Sequence, residues 1–340
     1  MAVYTSLSRA FVESMLSVYP GVAAVVELEG IAEGSINTTY RVKTADGREL
    51  FLRVNEGKEL QDVVHERDLL EALGLRQLGV VTPRMLRTVP GGVFFPVDLN
   101  GPRRWACVFP RLPGREIAAF EVTPAACFQV GAFLARAHGA LRTFHGHRPN
   151  PFRIAVVRRW VEQLRNQKDP GIREVADELA VSLTIVEGSR RLLPRGVVHG
   201  DLFIDNTRWQ NGRLAAVFDW EMAGTDHLLY DVAVCLNAWG WQRGASGEGV
   251  FLPERCRELM QGYQSVRPLK PSERRGLFIE VLLAGIRFTT SRLRDFEVPR
   301  PENDDGSERR YLDYRDFLAR VRTVRAMRTH GVQRLVGLRP

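Results

Sequence analysis

His199-Gly-Asp-Leu-Phe-Ile-Asp-Asn206 sets Asp201, Asp205 and Asn206 within eight residues, and Asp219-Trp-Glu221 begins thirteen residues after Asn206. Between them, Leu214 to Phe218 is a short apolar run of strand type. The spacing predicts a polar loop, a short strand pair, and a second carboxylate delivered beside that loop. Leu228 to Trp239 then reads as a buried helix carrying one carboxylate, Asp231. Upstream the chain alternates like strands, at Tyr40-Arg-Val-Lys43, Glu49 to Val54, Val93 to Asp98 and Trp105 to Phe109. Asp46-Gly47, Gly91-Gly92 and Asn100-Gly101 punctuate them and tolerate the positive φ of hairpin turns. One helix, Glu59 to Leu73, presents Leu60, Val63, Leu70 and Leu73 as a stripe. After Pro110-Arg-Leu-Pro-Gly114 the pattern becomes helical, at Pro124 to Arg142, Phe152 to Arg165, Ile172 to Ser189 and onward. The expected fold is α+β and bilobal. A small antiparallel-sheet lobe spans 1–109, a hinge 110–114, and a larger, mainly helical lobe 115–340.

Composition agrees with a globular chain. The 340 residues are 44% hydrophobic and 26% charged, which excludes a disordered or collagen-like polymer. The longest apolar stretch, Leu277 to Phe288, is broken by Glu280 and Arg287 and is too short to cross a bilayer. Arg9 and Glu13 arrive before any sustained apolar run, so no signal peptide is expected. Cys107, Cys127, Cys235 and Cys256 form no C-x-x-C pair, which predicts reduced thiols and a cytoplasmic location. Residues 1–254 hold 29 basic and 29 acidic side chains, whereas 255–340 hold 19 and 11. The net +8 therefore sits in the last quarter and favours small anions. No nucleic-acid fold signature accompanies it, so neither nucleic acid nor membrane is an expected partner; the oligomeric state stays open.

An Asp followed by an Asn five residues on, then by a second Asp after a strand pair, is the spacing of a kinase catalytic loop. Phosphoryl transfer needs a carboxylate to orient the attacking hydroxyl and accept its proton, here Asp201. It needs hard oxygen ligands for magnesium, here Asn206 and Asp219. His199 and Asp231 are the expected supports of the loop, because a carboxylate on a buried helix should be hydrogen-bonded.

The small lobe supplies matching parts. Strand 49–54 alternates, so Leu50, Leu52 and Val54 face one way and Phe51 and Arg53 the other. Arg53 stands where kinases place a phosphate-holding lysine, and Glu66, on the apolar stripe of the next helix, is its expected partner. The loop Gly30 to Tyr40, with Gly34, Ser35 and Asn37, is of a kind whose backbone amides cradle phosphates. For adenine, Phe109, Arg111 and Leu112 are the candidate donors, since Pro110 has no N–H. Several other residues read as structure. His138 is expected to be a satisfied interior histidine, His145-Gly-His147 an exposed loop, and Trp239 and Trp241 core.

Together these residues resemble the aminoglycoside phosphotransferase-like kinases, which include choline, ethanolamine and homoserine kinases, and most resemble the homoserine kinases of the Pseudomonas type. Gly30 to Tyr40, Asp201 to Asn206, Leu228 to Trp239 and Arg287-Phe-Thr-Thr-Ser-Arg-Leu-Arg-Asp295 carry the likeness. It departs from the pattern at Glu221, where the family usually has an aromatic or apolar residue, and near Ser35-Ile36-Asn37. The resemblance implies a bilobal kinase-like fold and an enzyme that uses ATP and Mg2+ to phosphorylate a small hydroxylated acceptor, most simply homoserine. Kinases of other amino alcohols or aminoglycosides, and a catalytically silent binding module, are the rivals. A zwitterionic acceptor needs a cation for its carboxylate and an acid for its ammonium. Arg287 and Arg292 lie about 140° apart around one helix, so one binds substrate and the other is structural, with Arg287 favoured. Asp205 or Glu221 would hold the ammonium.

Overall fold

The computed structural model describes residues 5–31, 37–89, 91–99, 102–146, 148–244, 249–298 and 312–339. These fall into two compact units: 5–74 with 82–112, and 75–81 with 113–298 and 312–339. The division after Leu112 lies inside the stretch expected to be the hinge. Residues 75–81, expected in the sheet lobe, belong instead to the helical unit. The Val81 N–H donates to Ala215 O and the Val217 N–H to Val81 O, at 2.9 and 3.0 Å.

The first unit opens with a helix that strand alternation does not announce, α1 (Arg9–Leu16), capped by the Ser8 side chain. Strands β1 (Val25–Ile31), β2 (Thr38–Thr44) and β3 (Glu49–Asn55) follow, then α2 (Leu60–Gly74), β4 (Phe95–Val97) and β5 (Arg104–Pro110). All pairings are antiparallel, in the order β1-β2-β3-β5-β4. The expected strand 93–98 contracts to three residues at the sheet edge. Pro96 sits in its middle, and a residue without an N–H is tolerated only on an edge strand. Leu50, Leu52 and Val54 are buried as their alternation requires and pack with Val12, Met15, Val42, Val97 and Val108.

The second unit contains α3 (Pro124–Ala140), α4 (Ile154–Arg165), α5 (Pro170–Ser189) and β6 (Arg195–Val198). The hairpin β7 (Thr207–Gln210) and β8 (Arg213–Val217) is followed by β9 (Gly224–His227) and α6 (Leu228–Trp239). Then come β10 (Trp241–Arg243), β11 (Gly249–Phe251), α7 (Pro253–Val266), α8 (Pro271–Arg292) and α9 (Tyr314–Leu335). α3 and α7 approach at two glycines: a Cβ on Gly131 would lie 2.0 Å from Leu259 O, and one on Gly262 2.0 Å from Phe128 O. The four cysteines are buried free thiols, and Trp239 and Trp241 are core residues. Among the described residues no helix is long and apolar enough to cross a membrane.

Candidate active site

The loop His199 to Asn206 leaves the end of β6, turns at Gly200 (φ +76°) and closes in one 3-10 turn before β7. Asp231, in the first turn of α6, holds its start. Its carboxylate accepts the N–H groups of His199 and Gly200 at 2.7 and 2.8 Å. It also meets His138 Nε2 at 3.0 Å, and His138 Nδ1 meets the Tyr263 hydroxyl at 2.9 Å. Burial alone would raise the Asp231 pKa. The contact with His138 and the charge-favouring N–H donors outweigh it and leave the pKa below the usual range. His138 is thus a satisfied interior histidine, as its sequence context predicts.

His199 ties the loop to the segment before Asp219. Its Nε2 lies 3.1 Å from Phe218 O, and its Nδ1 accepts the Asp201 N–H at 3.3 Å. These partners select the neutral tautomer protonated at Nε2, and burial lowers the pKa in the same sense. Asn206 is buried and donates Nδ2–H to the Asp201 carbonyl at 2.8 Å, while its own carbonyl accepts the Phe218 N–H at 3.1 Å. The amide is thereby oriented with Oδ1 turned away from that carbonyl. Asp219 has φ +63°, an uncommon conformation for a residue with a Cβ. Among the described residues no three His, Cys, Asp or Glu side chains are grouped to hold a metal. An amide oxygen and one carboxylate are a hard donor pair of the kind Mg2+ accepts when phosphate and water complete its shell.

Asp201 is half-buried. Burial raises its pKa to about 6, the Arg287 charge opposes the rise, and Asp205 and Glu221 reinforce it. Arg287 is the expected cation on α8, and the structure sets it beside Asp201, Nη1 to Oδ1 3.4 Å. Its guanidinium carbon lies 3.7 Å from the ring centres of both Phe152 and Phe288. Its side chain is 5% exposed, and its Nε is buried with no hydrogen-bond partner. Arg292 turns elsewhere, donating to Asp313 O at 3.3 Å and lying 4.3 Å over Phe317. Asp205 is exposed; Glu221 is buried, and its carbonyl accepts from Arg148 at 2.7 Å. The contacts of Phe152 and Phe288 with this guanidinium are what the sequence does not announce. Phe288 adjoins Arg287 in sequence, but Phe152 is over a hundred positions away and nothing local connects it to Arg287.

In the first unit, Arg53 and Glu66 form a two-pronged ion pair, one contact being 3.1 Å, with side chains 12% and 3% exposed. The Arg53 guanidinium also lies 5.0 Å over the Phe109 ring. Asn37 is buried, and its Oδ1 accepts the Glu56 N–H at 3.2 Å. The Arg111 N–H donates to Glu49 O at 3.1 Å, which withdraws it from the candidate adenine donors. Antiparallel alternation aims the Phe109 N–H at Phe51 as well, so of the three only Leu112 is not directed into β3. Gly34, Ser35 and His147 lie outside the described residues.

The model of the phosphotransferase enzyme family matches residues 27–269. A homoserine kinase of Gluconobacter oxydans is 33% identical over 303 residues, covering 87% of this chain and 90% of the relative. One of Gluconacetobacter diazotrophicus is 32% identical over 341 residues, covering 98% and 100%. Among solved structures, a microcompartment-associated aminopropanol kinase superposes with a TM-score of 0.70 at 16% identity, covering 96% of this chain and 100% of that one. The choline kinase of Cryptosporidium parvum gives 0.67 at 12% identity, covering 97% and 99%. At such identities the structures establish the protein-kinase-like fold.

Proposed function

The chain belongs to the phosphotransferase enzyme family, in its homoserine kinase group, and from that premise we propose that it transfers the γ-phosphoryl group of ATP to the side-chain hydroxyl of L-homoserine, with Mg2+. The observation that carries the acceptor is Arg287, a buried cation beside Asp201 whose guanidinium fork is largely unfilled. Such a fork suits a carboxylate bidentately. Choline, ethanolamine, aminopropanol and aminoglycosides bring no carboxylate, only more positive charge next to Arg287.

Asp201 orients the acceptor hydroxyl and takes its proton as the oxygen bonds to the γ-phosphorus. The bond to the β–γ bridging oxygen breaks, and its electron pair leaves with ADP. A pKa near 6 leaves Asp201 ionised at neutral pH yet more basic than an ordinary aspartate. Asn206 and Asp219 are the residues to hold Mg2+, which neutralises phosphate charge when bound. Asp231 and His199 keep the loop backbone in place. Glu221 or Asp205 serves the ammonium. In the first unit Arg53, steadied by Glu66, binds phosphate oxygens, Asn37 lies at the edge of the same nucleotide site, and the Leu112 N–H serves adenine.

A coupled ADP-release screen over homoserine, choline, ethanolamine and kanamycin tests this reading. Homoserine should give the highest kcat/KM, and Arg287→Met should raise its KM while leaving that for ATP nearly unchanged. Preference for a cationic acceptor without a carboxylate would overturn the assignment.

A further inference from the structure

We propose that Arg287 is a lock on Asp201 which the acceptor's own carboxylate opens, so that the enzyme selects its acceptor by releasing its base as well as by binding. This rests on the acceptor reading above and goes beyond it. Arg287 touches Asp201 through a single 3.4 Å contact, whereas charge-assisted N–H···O bonds normally close to about 2.7–2.9 Å. The Phe152 and Phe288 rings lie 3.7 Å from the guanidinium carbon, so exchange of partner belongs at its edge, in the plane where its N–H groups point. Asp295, another carboxylate whose charge reaches Arg287, is held by Arg294 through two hydrogen bonds of 2.8 and 3.0 Å. The Tyr230 hydroxyl, close enough to be felt electrostatically, is buried with no partner. Asp201 therefore supplies the carboxylate contact of Arg287 by default. One of its two oxygens is turned toward the cation instead of toward a hydroxyl.

An incoming carboxylate can engage the fork through two parallel bonds and displace the single one. Asp201 Oδ1 is then available to orient the hydroxyl and accept its proton during the transfer already described. An acceptor that lacks the carboxylate leaves the lock closed, even when its hydroxyl reaches the site. Homoserine stripped of its carboxylate is 3-aminopropan-1-ol, so that pair of acceptors isolates the effect.

Arg287→Met keeps an unbranched side chain between the two rings and removes the charge. With the lock, kcat/KM for homoserine should fall by about 10²-fold while kcat for 3-aminopropan-1-ol rises about tenfold above the wild-type enzyme. Loss with homoserine and no gain with 3-aminopropan-1-ol would leave Arg287 a plain binding residue and overturn the lock alone. Wild-type enzyme that ignores homoserine would instead overturn the acceptor reading beneath it. Should the variant not fold, the wild-type enzyme decides. 2-Aminobutyrate, which has the carboxylate and no hydroxyl, should speed ATP hydrolysis by water several-fold, and propylamine should not. Hydrolysis unmoved or suppressed by 2-aminobutyrate defeats the proposal.

Discussion

Arg53–Glu66 in the first unit and Arg287–Asp201 in the second are arginine–carboxylate pairs built to opposite ends. Arg53 and Glu66 meet fork to fork, and the pair is closed. Arg287 and Asp201 meet at one long contact, with two aromatic rings against the cation. Glu66 is committed to its arginine, whereas Asp201 is held loosely enough to change partners. The lesson is that burial of an ion pair does not reveal its use. The number and length of its contacts do.

The largest effect should come from breaking the loose pair at its acid. Asp201→Ala should lower turnover by roughly 10²- to 10⁴-fold, the usual worth of a positioned general base, with nucleotide affinity nearly unchanged. Its thermal midpoint should fall less than that of a Glu66 variant, because a single 3.4 Å contact is lost where Glu66 makes two. Breaking the tight pair should do the reverse. Glu66→Ala strands a buried guanidinium and should cost about 3 kcal/mol in denaturant unfolding; a loss below about 1 kcal/mol would mean that the pair is as slack as the other. At Arg53, Ala should raise the KM for ATP about tenfold and Lys only a few-fold, since either cation reaches a phosphate oxygen but only Arg fills the Glu66 fork. Equal KM values in all three would remove Arg53 from the nucleotide site.

The smallest effect is on pH. The Asp201 pKa lies above the ordinary carboxylate value, so its reactive ionised form is lost as pH falls through about 6. Below that, kcat/KM should drop about tenfold per unit. Glu221 raises this pKa and Arg287 lowers it. Glu221→Gln should therefore move the acid limb down and Arg287→Met move it up. Shifts in one common direction would contradict the electrostatic picture.

Much of this was legible in the residues because the signals are local. Asp201, Asn206 and Asp219 are singled out as candidates by spacing, and the alternation of 49–54 gives the buried face of its strand. Glu66 announces a partner by lying on an apolar helical stripe, and the Arg53 pairing follows. Local signals ended where partners lie far apart along the chain. Phe152 meets Arg287 only because α4 and α8 share the helical core, and residues 75–81 join the second unit through bonds to β8 that no short pattern foretells. The contraction of 93–98 was legible after all, since Pro96 forbids an interior strand. Arg111 was legible only in part: its N–H is consumed by Glu49, a matter of ladder register that residue type does not set.

Asn206 has a consequence for which substitutions the loop can accept. Its amide nitrogen donates a hydrogen bond to the Asp201 carbonyl, and in the proposed reading its oxygen is left for the cation. An aspartate there would be the stronger metal ligand on charge alone. It would also bring a second lone pair against the Asp201 carbonyl oxygen, where a donor is needed, and repulsion would push the base-bearing backbone out of place. In the proposed reading, the weaker ligand is the one that lets the residue for the metal and the residue for the proton share a single rigid turn. Asn206→Asp is then expected to bind the cation without difficulty and still to fail at transfer, a mismatch of shape rather than of affinity.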